Sequence, residues 1–156
     1  MMDVDVAVKW SAQTLKTDGL FAMQDYVGPN RFQWTNRNLD FVERVRRSLP
    51  ESLLMDPLNG GQTLPFRLQR PDPDAIAAFD PTEAPDSERI LDAIDKYFLA
   101  PEIIPTGGTL YHFGLKDILA NFTQSEIPIL AQILNVDAAL ATAGETHYAA
   151  AFCWKL

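Results

Sequence analysis

Apolar positions recur every three or four residues in five stretches of the chain, which is the spacing of a helix with one buried face. Three short, mainly apolar runs separate these stretches and favour strands. Because the strands alternate with helices, the pattern predicts a layered α/β fold. The predicted helices cover residues 4–15, 36–49, 86–98, 109–122 and 123–143, and the predicted strands cover residues 19–27, 102–106 and 147–155.

Several helix ends carry residues suited to capping. Thr35 or Asn36 is placed to cap the second helix, and Pro50 ends that helix because proline disfavours helical backbone in the residue before it. Thr123 and Glu126 match a capping box, in which each side chain binds a free amide at the start of a helix. These signals define the predicted helices more sharply than the apolar spacing alone.

Two of the predicted strands are apolar on both faces. Residues 19–27 begin with an unbroken apolar run, which favours a buried central strand. Residues 147–155 are nearly all apolar and are likewise expected to be buried on both faces. Pro105 lacks a backbone donor, so the strand at 102–106 is expected to end at an edge or a bend of the sheet.

Residues 51–85 are rich in proline, glycine and aspartate and predict a long loop with short helical pieces, one of them in "DPDAIAAF". A loop of this length in a compact domain is usually functional or disordered. Its acidic run lacks the spacing of a known calcium loop, so a solvated loop is preferred over a metal site. The residues of this run are Asp72, Asp74, Asp80, Glu83 and Asp86.

Composition narrows the functional classes. The 156 residues suffice for one domain with a real core, and 47% apolar and 22% charged residues are typical of a folded protein. The net charge of -8 argues against binding to nucleic acid or to an anionic membrane. A single cysteine, Cys153, permits no internal disulfide and favours a reducing compartment. No apolar run is long enough to span a bilayer and no secretory signal is present, so the expected location is the cytoplasm.

Three stretches carry a family resemblance. "DYVGPNRFQW", "FDPTEAPDSERIL" and "GGTLYHFGLKDILANF" occur in this order and are followed by an apolar terminal strand. Together they resemble the second half of a class I S-adenosylmethionine-dependent methyltransferase. More narrowly, they resemble a bacterial small-molecule group whose fifth strand runs into a Tyr-Val-Gly-Pro-Asn-Arg turn. The resemblance covers essentially the whole chain, with a departure at Asp25, where the longer Glu is expected.

The resemblance implies part of a Rossmann-like sheet with the strand order 3-2-1-4-5-7-6. Residues 19–27, 102–106 and 147–155 would be strands five, six and seven. The first four strands, which carry the S-adenosylmethionine site, would be absent. We therefore expect residues 1–156 to form a single domain that is the C-terminal portion of a methyltransferase, with 51–85 as a long insertion.

The glycine pattern agrees with the absence of a cofactor site. A nucleotide-type cofactor needs a glycine-rich turn between a strand and a helix, so that the backbone can approach closely. The two glycine pairs are Gly60-Gly61, in the long loop, and Gly107-Gly108, after the strand at 102–106, and neither makes a G-x-G-x-x-G pattern. Met1 also lies directly before the first predicted helix. We expect this chain to be a C-terminal half that does not bind the cofactor alone.

The turn after the first strand is the best candidate site. Ligands of open α/β sheets bind at the carboxyl ends of the strands. We therefore expect this turn to wall a pocket for a small-molecule methyl acceptor. The alternative is a strand-to-helix turn whose aromatic rings pack beneath the helix. The candidate substrate-binding residues are Asp25, Tyr26, Asn30, Arg31, Phe32 and Trp34.

Other residues carry weaker signals. His112 is a weak catalytic candidate, because methyl transfer needs a base only if the acceptor must lose a proton. A partly buried helical histidine with a structural role is preferred, and His147 is also interpreted as structural. Cys153 is expected to act as a small buried hydrophobe. A cationic face that is interpreted as solvated comprises Arg44, Arg46 and Arg47.

Two functions follow from the sequence. In the first, the chain belongs to an enzyme that transfers a methyl group from S-adenosylmethionine to a small molecule, and it is inactive alone. In the second, it is a non-catalytic remnant that assembles with another chain. The unpaired strand at 19–27 would then bind a second copy or a complementary N-terminal half, because an exposed apolar edge strand invites partners.

Overall fold

The computed structural model describes residues 3–155 and has a mixed α/β fold. It contains two compact units. The first comprises Met1–Trp34, Arg70–Thr106 and Thr146–Leu156, and the second comprises Thr35–Gln69 and Gly107–Glu145. The helices are α1 (Val4–Thr14), α2 (Asn36–Ser48), α3 (Pro73–Phe79), α4 (Ile90–Tyr97) and α5 (Ile127–Thr142), and the strands are β1 (Leu20–Tyr26), β2 (Glu102–Gly107) and β3 (Tyr148–Trp154).

The sheet has the order β1-β3-β2, so the last strand in the sequence lies between the other two. β3 runs antiparallel to β1, with Met23 opposite Ala151. β2 is an edge strand, which confirms the position expected from Pro105. All three predicted strands form, within one or two residues of the predicted bounds.

One face of the sheet is covered by α1 and α4. Val8 of α1 and Ile94 of α4 are buried against Ala151 and Cys153 of β3, and Phe98 completes this core. The alternation of β residues explains the arrangement, because residues two positions apart in a strand share one face. Burial also raises the pKa of the Cys153 thiol, which fits its expected role as a small hydrophobe.

The prediction that β1 is a central strand buried on both faces is wrong. Among residues 3–155, β1 pairs with no strand other than β3, so it forms an edge of the sheet. Phe21 and Met23 pack on the core, whereas Leu20, Ala22 and Gln24 are exposed on the opposite face. The apolar run at the start of β1 places apolar side chains on both faces of the strand, but only the face with Phe21 and Met23 packs on the core.

β3 shows a milder form of the same difference. Ala149, Ala151 and Cys153 are fully buried on the covered face, whereas Tyr148 and Phe152 on the opposite face are only half-buried. The expectation that both faces of this strand are buried is therefore wrong.

The second unit is organised around α2, which begins as predicted at Thr35. The Thr35 hydroxyl accepts the Asn38 amide at 3.1 Å, and the Asn38 side chain accepts the Thr35 amide at 3.1 Å. The prediction that Arg46 belongs to a solvated cationic face of this helix is wrong. Arg46 is 1% exposed, and its guanidinium donates to backbone carbonyls of Pro65, Gly114 and Lys116. Arg44 and Arg47 are exposed, as expected.

The long loop at 51–85 contains short helical pieces, as predicted. A 3-10 helix covers Glu51–Leu54, and "DPDAIAAF" contains α3. Asp72 caps α3 by accepting the Asp74 amide at 2.9 Å. The Asp80 carboxylate accepts from Thr82, and Asp86 pairs with Arg89. Several of the acidic residues thus cap or tie the loop.

The prediction of a regular helix over residues 109–122 is wrong. A π-helix covers Thr109–Gly114, and a 3-10 helix covers Leu119–Asn121. Gly108 stands before the π-helix with φ at 102°, and Asp117 interrupts the segment with φ at 66°. Left-handed backbone of this kind does not continue an α-helix. Apolar spacing alone does not reveal these interruptions.

A buried carboxylate holds the start of the π-helix. Asp137 of α5 is 2% exposed and accepts the amides of Gly108 at 2.7 Å and Leu110 at 2.5 Å. Gly107 has φ at 87°, and a Cβ atom there would collide with the same carboxylate. Asp137 therefore satisfies the free amides that begin a helix.

The predicted capping box forms on a 3-10 helix, Gln124–Glu126, that leads directly into α5, and α5 exposes more apolar surface than predicted. The Thr123 amide donates to Glu126 at 2.9 Å. Ile133 is buried, whereas Ile127 and Leu134 are exposed, so the predicted single buried side is only partly formed. No helix of residues 3–155 is both long enough and apolar enough to cross a bilayer.

We expect Asp137→Ala to lower the free energy of unfolding by about 2 to 4 kcal/mol, because it leaves two buried amides without an acceptor. Asp137→Asn keeps one acceptor oxygen and should lose less. Urea titration followed by circular dichroism measures both changes. Asp95→Ala, at an exposed position of α4, is the control and should change stability by less than about 0.5 kcal/mol. Equal effects of Asp137→Ala and Asp95→Ala would contradict the anchoring role.

Candidate functional site

The carboxyl end of β1 carries a cluster of aromatic side chains. Tyr26 is the last residue of β1, and its ring lies 4.9 Å from Phe32 and 5.5 Å from Tyr148 between centroids. The Phe32 ring lies 5.8 Å from Trp34, and Tyr26 lies 6.0 Å from His147. The cluster joins the predicted candidate turn to the start of β3. Tyr148 is not among the predicted site residues, and only the pairing of β1 with β3 reveals it.

The turn folds tightly over Tyr26. The Tyr26 hydroxyl donates to the Pro29 carbonyl at 3.0 Å. Gly28 lies against the same ring, and a Cβ atom at Gly28 would stand 2.7 Å from it. Burial raises the pKa of Tyr26 above its ordinary value. The phenol therefore stays protonated near neutral pH and acts as a hydrogen-bond donor rather than as a base.

Arg31 ties the turn to the end of the long loop. Its guanidinium donates to the carbonyls of Asp80 at 3.1 Å, Pro81 at 2.9 Å and Glu83 at 2.6 Å. Its own amide donates to the Ala84 carbonyl at 2.7 Å. The three guanidinium bonds direct both terminal nitrogens of Arg31 to backbone carbonyls of the loop. The geometry therefore favours a positioning role for Arg31.

Two residues of the turn have left-handed backbone. Arg31 has φ at 51° and Phe32 has φ at 57°. This conformation costs about 1 to 2 kcal/mol for a residue with a side chain, so it persists only where surrounding contacts enforce it. The Arg31 bonds provide that enforcement, and they direct the half-buried Phe32 ring toward Tyr26.

Asn30 fastens the turn to the start of α4. Its side-chain oxygen accepts the Glu88 amide at 3.1 Å and lies 3.3 Å from the Ser87 hydroxyl. Ser87 is buried and donates to the Gly28 carbonyl at 2.8 Å. Nothing in the local sequence around Ser87 links it to a turn nearly 60 residues earlier, so only the tertiary structure reveals this contact.

The six candidate residues thus differ in accessibility. Tyr26 and Trp34 are buried, Asn30, Arg31 and Phe32 are half-buried, and Asp25 is exposed. The Asp25 carboxylate accepts the Tyr26 amide at 2.7 Å. All six lie between residues 25 and 34, in one short segment of the first unit. Asp25 is the most accessible of the six, and the half-buried Phe32 ring packs between the buried rings of Tyr26 and Trp34.

His112 lies in the π-helix of the second unit and is exposed rather than partly buried. π-helical turns are rare in proteins overall, but those that occur are often found at functional sites. His112 therefore stays a weak catalytic candidate. His147 is buried beside Tyr26, in agreement with the structural role expected for it. Within residues 3–155, no group of three His, Cys, Asp or Glu side chains has a geometry that could hold a metal ion.

The glycine pairs do not fit a nucleotide-type cofactor. Gly60 and Gly61 stand in an exposed loop, where a Cβ atom added to either residue would meet no other atom within 4 Å. The Gly108 amide is occupied by Asp137, so it has no donor to offer a ligand carboxylate. Gly107 and Gly108 do lie between β2 and the π-helix, but the Asp137 carboxylate stands against Gly107 and accepts the Gly108 amide, so the space that a pyrophosphate or amino-acid group would need is filled.

Comparison with known proteins gave no match to a protein-family model, to a curated protein or to a solved structure.

We expect Arg31→Met to release residues 80–84, because it removes a donor to three carbonyls while keeping an apolar stem. The predicted result is faster cleavage in this loop during limited proteolysis and a stability loss of about 1 to 2 kcal/mol. Arg44→Met, at an exposed position of α2, is the matched control. Equal cleavage rates in the two variants would show that Arg31 does not hold the loop.

Proposed function

We propose that residues 1–156 are the C-terminal half of a class I S-adenosylmethionine-dependent methyltransferase with a Rossmann-like sheet. The complete enzyme would transfer a methyl group to a small-molecule acceptor in the cytoplasm. The observation that carries the proposal is the strand order. β3 is last in the sequence but lies between β1 and β2, and the resemblance implies the same insertion of strand seven between strands five and six.

The position of the aromatic cluster supports an acceptor-binding role. The cluster lies at the carboxyl end of β1, where open α/β sheets bind their ligands. Phe32 would offer a flat apolar surface, and Asp25 would accept a hydrogen bond from an acceptor hydroxyl or amine. Catalysis of a displacement of this kind depends mainly on holding two reactants in line. This half would position the acceptor.

S-adenosylmethionine would supply the methyl group, but the residues of this chain do not fit it. Gly60 and Gly61 lie in an exposed loop, and the Gly108 amide already donates to the Asp137 carboxylate. We therefore assign the cofactor to the half that is outside these residues. The chain alone would be inactive, and it would take part in methyl transfer only when associated with that half.

Isothermal titration of the purified chain with S-adenosylmethionine should show no binding up to about 1 mM, because the chain lacks a cradle for the cofactor. A chimera that places strands one to four of a class I methyltransferase before Val4 should bind it. The same four strands fused to an unrelated α/β domain are the control. Micromolar binding by the chain alone would overturn the assignment of halves, and a folded chimera without binding would overturn the family proposal.

A second function is favoured by the position of β1 at the edge of the sheet. In the described part of the chain this strand has one free side, and its outer face presents the uncharged side chains of Leu20, Ala22 and Gln24. Such an edge pairs readily with another strand. The chain would then act as a non-catalytic assembly partner.

Light scattering coupled to size-exclusion chromatography tests this second function. We expect the purified chain to elute with a mass above 17.4 kDa at high concentration, because its unpaired edge favours association. A chain that remains soluble and monomeric at every concentration would count against assembly through β1, whatever the outcome of the cofactor titrations.

A further inference from the structure

The open edge of β1 has a defined set of hydrogen-bonding groups. The Val27 amide donates to the His147 carbonyl at 2.8 Å, and the Lys155 amide donates to the Gly19 carbonyl at 2.9 Å. In an antiparallel pair, successive residues alternate between facing the partner strand and facing away. The odd-numbered residues of β1 therefore face β3. The amides and carbonyls of the edge set, Leu20, Ala22 and Gln24, point away from the sheet.

An uncharged groove lies beside this edge. It has a volume of about 300 Å³ and is lined by α1 residues, including Trp10 and Thr14, and by Leu20–Ala22 of β1. Trp10 is 61% exposed and Leu20 is 43% exposed. A groove between a helix and an open strand edge is a shape that binds an added strand, because backbone bonds hold the strand and the groove takes its side chains.

Charge indicates what occupies this edge. The chain carries a net charge of -8, so two copies repel each other over most of their surfaces. The strip from Leu20 to Gln24 and the lining of the groove contain no charged side chain. Within residues 20–24, two copies can therefore approach without placing like charges opposite each other.

We propose that two copies of the chain pair through β1, antiparallel, about a two-fold axis at Ala22. Ala22 lies opposite Ala22 of the second copy, and Leu20 lies opposite Gln24 of the second copy. The two sheets then form one continuous sheet. The proposal depends on the assembly function described above, and it identifies both the partner and the register.

Neighbouring contacts select this register over those shifted by two residues. The central register pairs every member of the edge set. A shift toward the carboxyl end would require the Tyr26 amide, which already donates to Asp25 at 2.7 Å. A shift toward the amino end would require the Asp18 amide, which already donates to the Lys155 carbonyl at 2.9 Å. In the central register, Asp25 lies opposite Gly19 and Tyr26 lies opposite Asp18 of the second copy, so no two like charges lie directly opposite each other.

The size of the contact predicts a reversible dimer. A strand of seven residues spans about 23 Å, whereas a stable dimer buries about 800 Å² on each partner. The proposed contact consists of the strand edge, the groove and the exposed part of Trp10. The area that it buries on each partner is therefore at the low end of the range for stable dimers. We therefore expect dissociation in the micromolar range. Added salt should strengthen the dimer, because it screens the repulsion between two acidic copies.

Cysteine cross-linking tests the register. In a hydrogen-bonded antiparallel pair the Cα atoms are about 5.5 Å apart, which is within the range that a disulfide spans. Oxidation of Ala22→Cys should therefore yield a covalent dimer. Leu20→Cys and Gln24→Cys, each alone, place their thiols about 13 Å apart and should cross-link at least about tenfold less. A mixture of these two variants should cross-link to each other.

Proline substitution tests the pairing itself. Ala22→Pro removes the outward amide at the centre of the interface, and proline is tolerated on an edge strand whose amide faces outward. Circular dichroism should show that the variant keeps its fold, while sedimentation should show a monomer. Ala22→Val is the matched control and should remain a dimer.

Three results would overturn the proposal. The first is a wild-type chain that stays monomeric up to about 200 µM. The second is a folded Ala22→Pro variant that still dimerises. The third is a Gln24→Cys variant that cross-links as readily as Ala22→Cys, which would show another register or a non-specific contact. None of these results depends on cofactor binding, so they are separate from a failure of the methyltransferase proposal.

Discussion

The insertion of β3 between β1 and β2 organises the whole first unit. β3 comes more than 120 residues after β1, yet Met23 lies directly opposite Ala151. This pairing joins β1 to the sheet. It also provides the small buried side chains against which α1 and α4 pack, and it sets Tyr148 beside Tyr26. Without it, the candidate turn would lie at the end of a single unpaired strand.

The candidate turn is held by bonds to backbone carbonyls rather than by ion pairs. Arg31 donates to three carbonyls of the long loop, and Ser87 donates to the carbonyl of Gly28. Bonds of this kind fix the path of two segments without requiring a matching charge. They also maintain the left-handed backbone at Arg31 and Phe32. The result is a rigid support for an aromatic surface at the carboxyl end of β1.

The two proposed functions use the same edge of the sheet. In a complete methyltransferase, a strand of the cofactor-binding half would pair with β1. In the self-paired dimer, β1 of a second copy occupies that position. The two arrangements exclude each other, because the edge set of Leu20, Ala22 and Gln24 can pair with one strand at a time. Self-pairing would therefore cover the same strand edge that a cofactor-binding half would occupy in the proposed methyltransferase.

The sequence by itself determined the elements with local signals. Thr35 and Pro50 bound α2 because capping and proline sterics act within a few residues. Apolar runs located all three strands, and a resemblance of motifs located the candidate turn. Tertiary structure alone decided which faces are covered, because burial depends on what packs against a strand. It also decided that Arg46 is buried, that Asp137 shapes the π-helix, and that Arg31 binds a loop some 50 residues away. Each of these contacts joins residues distant in the chain, and no local pattern encodes them.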